Sequence, residues 1–147
     1  MIFFAINLPF THWTAILKTL LGLAETTFLK LIHGLEKPGD HRRIDTTTGF
    51  MPVFVECIEI NTGGKVFSVA HYETQSGDLM ADPEVCLLLT KSGKIAPMTF
   101  RNNFVGVDQI AVKFTEGGIH CNEKLQEELC DFCIEWFQNI AEQQDLD

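Results

Sequence analysis

Four side chains able to move protons or ligate a cation fall in one short segment: His71, Asp78, Asp82 and Glu84. One imidazole with several carboxylates suits a divalent metal or a general acid/base pair. They would come together if His71 closes one strand and Glu84 opens its neighbour. The same residues also suit a turn. Gly77 can take the positive φ, Asp78 and Asp82 can accept backbone N–H bonds, and Pro83 can start a strand without a donor. His71 shares a strand face with Phe67 and Val69, which fits a half-buried, hydrogen-bonded imidazole. The turn role is preferred, and a small metal-dependent enzyme is the alternative.

A second cluster is His120-Cys121 followed by Cys130-Asp131-Phe132-Cys133. Zinc knuckles use such ligands in tight turns. Here the pair falls inside a helical pattern, with Cys133 on its apolar stripe, where cysteine behaves as a small hydrophobe. A redox C-x-x-C needs a helix N-terminus to lower its thiol pKa, and these cysteines come two turns too late. Cys57, Cys86, Cys121, Cys130 and Cys133 read as reduced thiols of a cytoplasmic protein. Phosphate-binding glycine loops, nucleophile elbows and H-E-x-x-H motifs do not occur. No cofactor is expected.

Charge placement carries more information. The net charge of −9 opposes direct nucleic-acid binding, which draws on neutralised phosphates. Residues 116–147 hold nine acids against Lys124. Glu123, Glu127, Asp131 and Glu135 recur at every fourth position, so a helix stacks them on one face, with Glu128 and Glu142 alongside. Like charges at that spacing oppose an isolated helix by about 0.2–0.5 kcal/mol per pair. Burying a single Leu or Phe of the opposite stripe outweighs this, at about 1.5–3 kcal/mol. Such a face serves solubility, or it docks a basic partner.

The elements that must position these groups follow from periodicity. With 147 residues, 46% of them hydrophobic, the chain suits one domain with a substantial core. Trp13, Ile16, Leu17, Leu20, Leu21, Ala24, Phe28, Leu31, Ile32 and Leu35 recur at steps of three and four, predicting a helix over 12–33 that Thr11 can cap and Gly34 can end. Residues 36–52 read as a connector whose basic cluster is His41, Arg42 and Arg43. Five strands are expected within 53–114: Val53–Ile60, Lys65–Tyr72, Glu84–Thr90, Ile95–Phe100 and Val105–Phe114. Asn61-Thr62-Gly63-Gly64 forms the first hairpin turn, and a longer loop runs from Glu73 to Pro83. A C-terminal helix over 122–143 carries Leu125, Leu129, Phe132, Cys133, Trp136 and Ile140 inward, with Asn122 as its N-cap. The fold class is α+β: a five-stranded antiparallel meander with a long N-terminal helix and a C-terminal helix packed on it. Lys18, Glu25 and Lys30 interrupt the N-terminal apolar run, so no membrane span is expected. MIFFAINLPF lacks a basic start and does not read as a signal peptide.

The run from His71 to Glu84, H-Y-E-T-Q-S-G-D-L-M-A-D-P-E, resembles the hallmark of a family of small uncharacterised proteins from phages, plasmids and other mobile elements. The similarity extends from about Met51 to Gln143, including Pro97 and Trp136-Phe137-Gln138-Asn139-Ile140. It implies a compact α+β domain of mobile-element origin and brings no activity with it. The resulting expectation is a non-enzymatic binding protein whose acidic face meets a basic surface of a host or element protein, such as a nucleic-acid-processing or defence system. The metal-dependent enzyme stands beside it. So does a homo-oligomeric scaffold or homodimer, suggested by the apolar N-terminal segment.

Overall fold

The structure, a computed structural model, describes residues 17–146. Its elements in chain order are α1 (Gly22–Ile32), β1 (His41–Ile44), β2 (Val53–Asn61), β3 (Gly64–Gln75), β4 (Asp78–Thr90), β5 (Ile95–Asn102), β6 (Val107–Ile110), β7 (Val112–Thr115), β8 (Gly118–Cys121) and α2 (Glu123–Gln143). The strands β1 to β6 lie side by side in chain order, each antiparallel to the next. The α+β class and the meander hold, with six strands where five were expected.

Both helices pack on one face of the sheet. Val53, Val55, Phe67, Val69, Val85 and Leu87 point inward and are buried. Phe28 of α1 sits where α1, α2 and the sheet meet, its ring edge-on to Phe67 at 5.9 Å and tilted against Phe137 of α2 at 6.1 Å. Burying each of these three rings contributes about 1.5–3 kcal/mol to the stability of the domain.

The sixth strand comes from the connector. His41–Ile44 pairs with β2 from His41↔Glu56 to Ile44↔Val53. Its sequence, HRRI, hides it, because an edge strand with polar side chains lacks apolar alternation. Arg42 then turns back toward the helices. Its guanidinium donates to the carbonyls of Lys30 (2.7 Å), Leu31 and His33 (3.1 Å) at the C-terminal end of α1, where Lys30 also accepts from His33 N–H at 3.4 Å.

The N-terminal helix is shorter than its periodicity predicts. Thr11 and residues 12–16, like the apolar segment 1–10, lie outside the described residues. Leu17–Leu21 is not helical, and Gly22 stands at φ 65, a left-handed conformation at the point where α1 begins. Long-range backbone bonds hold the stretch extended. Leu20 N–H donates to the Ile95 carbonyl at 2.8 Å, and Lys18 N–H donates to Gln126 Oε1 at 2.8 Å. Leu20 is therefore buried as an apolar residue of an extended segment. The far end agrees with expectation: α1 stops at Ile32 and Gly34 follows at φ 84.

Two further differences concern turns. The expected loop between Tyr72 and Glu84 is a hairpin extension: β3 runs on to Gln75, β4 starts at Asp78, and only Ser76 and Gly77 turn. Both have positive φ, 52 and 86, as a tight hairpin turn requires. The expected strand Val105–Phe114 breaks at Ala111. Ala111 N–H donates to the Met98 carbonyl at 2.7 Å and its carbonyl accepts from Asn122 N–H at 2.8 Å. β6 thus completes the main sheet, while β7 turns away to pair with β8.

Candidate functional site

Helix α2 begins as its sequence predicts. Asn122 Oδ1 accepts from Leu125 N–H at 3.2 Å, satisfying one of the first-turn donors. Leu125, Leu129, Cys130, Cys133, Trp136, Phe137 and Ile140 face the sheet and α1 and are buried. On the far side Glu123, Glu127, Asp131, Glu135 and Glu142 are exposed, and Glu128 is half-buried. From Glu123 to Glu135 the carboxylates span about 18 Å at the helical rise per residue. Lys18 reaches Glu127 at 3.6 Å, with both side chains near half exposure, a geometry worth little in water. Ile134 sits among these acids with 51% of its surface exposed. Gln138 Nε2 approaches Glu142 Oε1 at 3.5 Å.

The four residues of the His71–Glu84 segment do not come together. His71 faces the helices: it is buried, its Nδ1 donates to the Pro52 carbonyl at 2.9 Å, and its ring stands edge-on to Trp136 at 5.6 Å. Asp78 opens β4 at the exposed hairpin tip. Asp82 accepts from Asn102 Nδ2 at 3.1 Å, which ties the β3–β4 hairpin to the end of β5. Glu84 points to the opposite sheet face from His71, because it lies opposite Ala70 in the ladder. Among the described residues, no three His, Cys, Asp or Glu side chains are grouped closely enough to hold a metal ion.

On that opposite face Glu84 is the centre of a polar network. Its Oε2 accepts from Ser68 Oγ and from Tyr72 OH, each at 2.9 Å, and its Oε1 pairs with Arg101. The Tyr72 ring lies 5.4 Å from Phe54, and the Arg43 guanidinium sits 5.8 Å above the Phe54 ring. Ladder register explains the convergence, because Arg43, Phe54, Ala70, Glu84 and Arg101 stand opposite one another across five strands. The residues singled out from sequence did not include Ser68, Tyr72 or Arg101. Ser68 and Tyr72 alternate with Phe67, Val69 and His71, and that phase was the available signal.

Residues 25–146 match the family described as Domain of unknown function (DUF6908). The chain belongs to this family. No curated protein and no solved structure matches the chain. The DUF6908 match begins within α1 and runs through α2, so it takes in the connector and β1, beyond the Met51–Gln143 stretch of the sequence resemblance. No described helix of this DUF6908 domain is long and apolar enough to cross a membrane.

Burial sets the chemistry of the cysteines in the DUF6908 domain. All five are free thiols, and desolvation raises every one. Cys121 is pushed up to about 11 and Cys130 to about 12, while Cys133, wholly enclosed, goes well above its ordinary value. The thiolate that a cysteine nucleophile needs is therefore scarce near neutral pH. Cys133 lies on the buried stripe of α2, as its spacing predicts.

Tyr72 is pushed up to about 12, first by burial and then by the Glu84 carboxylate it donates to. It is the only tyrosine in the chain, so the phenolate absorbance reports it alone. A folded-state value above the unfolded one means the neutral phenol stabilises the fold. That contribution is complete below pH 10 and is lost as pH rises from 10 toward 12. Spectrophotometric titration of the folded domain should give a midpoint near 12, and Glu84→Gln should bring it down. A midpoint near 10 in folded protein would contradict the network.

Proposed function

We propose that this domain is a non-enzymatic protein-binding module that docks the acidic face of α2 against a basic surface of another protein. The observation that carries the reading is the line Glu123, Glu127, Asp131, Glu135, held in register on a helix whose other face is locked into the core. Stacked like charges oppose helix formation, yet packing overcomes the cost. The aligned negative potential speeds encounter with a positively charged cleft. Exposed Ile134 offers an apolar contact amid that ring of acids, as in interfaces where a desolvated anchor is rimmed by polar groups. The resemblance to proteins of phages and plasmids adds a setting: a cytoplasmic inhibitor that occupies the nucleic-acid cleft of a host processing or defence enzyme.

The test is affinity capture from a bacterial host lysate using the native domain and its Glu127→Lys, Asp131→Lys, Glu135→Lys variant. The native domain should retain a basic protein whose affinity falls with added salt, and charge reversal should weaken it at least about tenfold. The variant's unfolding free energy should stay within about 1 kcal/mol of the native value, because exposed charges contribute little to stability. Equal capture by both proteins would rule the reading out.

A further inference from the structure

The sheet face turned away from the helices carries a cleft of about 360 Å³, lined by His41, Arg43, Phe54, Glu56, Ser68 and Tyr72. That volume lies in the range of small-molecule sites, about 300–1,000 Å³. Its polarity is divided. Strand β1 contributes the Arg43 guanidinium as a donor and, at the rim, the His41 ring, whose Nδ1 donates to the Gly39 carbonyl at 3.0 Å. Strands β2 and β3 contribute acceptors: the Glu56 carboxylate, and the Ser68 and Tyr72 hydroxyl oxygens. Both hydroxyls donate to Glu84 at 2.9 Å, and Ser68 also lies within hydrogen-bonding reach of the Tyr72 oxygen, so each oxygen keeps a lone pair for an incoming N–H group. Between the two sides stands Phe54, an apolar wall against Tyr72.

We propose that this cleft binds a small amphoteric ligand, in which a planar ring bearing N–H donors is joined to an acidic group. The ring would lie beside Phe54 and Tyr72 with its donors toward Ser68, Tyr72 and Glu56, and the acid would meet Arg43, whose guanidinium stands over Phe54. Asp45 pairs with Arg43 at 3.0 Å, so the acid shares or displaces that partner. Arginine's planar fork accommodates two acceptors at once, which allows sharing. The inference does not rest on the acidic face of α2.

Mononucleotides and aromatic amino acids both have this chemistry, and two arms of one titration separate them. Isotope-labelled full-length domain is titrated with adenosine, guanosine, cytidine and uridine monophosphates in one arm and with tryptophan and histidine in the other, following backbone amides by NMR. Saturable shifts of β1–β3 amides are expected in one arm, and that arm names the source. Arg43→Ala, at a side chain 56% exposed, should weaken binding at least about tenfold with the unfolding midpoint preserved. Tyr72→Phe probes the acceptor side and should weaken binding, and Glu135→Lys on α2 should leave affinity unchanged, which keeps this result separate from partner docking. Absence of saturable shifts in both arms at millimolar ligand overturns the proposal, as does binding that survives both Arg43→Ala and Tyr72→Phe.

Discussion

Gln126→Leu should destabilise the domain by about 3–5 kcal/mol, a loss read as an earlier midpoint in urea unfolding. Gln126 is fully buried at the end of the first turn of α2, and its amide acts as a piece of strand backbone. Its Oε1 accepts from Lys18 N–H at 2.8 Å, and its Nε2 donates to the Lys18 carbonyl at 3.0 Å and to the Pro97 carbonyl at 3.1 Å. Cys121 Sγ adds a donor to Oε1 at 3.1 Å. Leucine fills similar space but orphans these groups, at about 1–3 kcal/mol for each that water does not reach. The extended stretch before α1 would lose its tether to the helix, so amides near Lys18 and Leu20 should exchange faster as well. Gln138→Leu, on the exposed side of the same helix, is the matched control and should change stability by no more than about 0.5 kcal/mol. Equal effects of the two substitutions would show that the buried amide is not what holds residues 17–21.

Gly64→Ala should cost about 3–5 kcal/mol, by forcing the β3 backbone away from β4 in addition to straining its own φ. Gly64 has φ 141, and a Cβ built there would stand 2.1 Å from the Leu89 carbonyl oxygen. That oxygen belongs to the backbone of the adjacent strand and cannot swing aside as a side chain would. The turn just before it is fixed independently, since Asn61 Oδ1 accepts from Gly63 N–H at 2.8 Å and Gly64 N–H at 3.2 Å. The hairpin therefore cannot relax by shifting register. Gly77→Ala, at the tip of the neighbouring hairpin, strains φ (86) but meets no atom within 4 Å, so it should cost less, about 1–2 kcal/mol. Unfolding midpoints of the two variants check the order. Equal losses would mean that φ strain alone, without the clash, sets the cost at Gly64.

Gln144 shows that α2 is pinned in a similar way at its other end. It too is buried: its Oε1 accepts from Thr46 N–H at 2.8 Å, and its Nε2 donates to the Met51 carbonyl at 3.0 Å. A helix tied by buried glutamines at both ends has little freedom to roll. The acidic face consequently keeps one orientation relative to the sheet, so a partner meeting it would not have to order it first.

Local patterns were enough to locate α2, its Asn122 cap, the Asn61–Gly64 turn, the Gly34 stop and the outward alignment of Glu123, Glu127, Asp131 and Glu135. Each depends on near neighbours in the chain, through periods of 3.6 or 2 and through the few residues that tolerate positive φ. Where partners lie far apart in sequence, only the packed structure could decide. Gln126 and Lys18 are 108 positions apart, and their pairing makes an extended segment of residues whose spacing alone suggests helix. Arg42 becomes a helix-end donor, and HRRI a strand, only because β2 and α1 are placed to receive them. Glu84 separates from His71 and joins Ser68, Tyr72 and Arg101 because ladder register across three strands, which no single stretch encodes, assigns each side chain to a face.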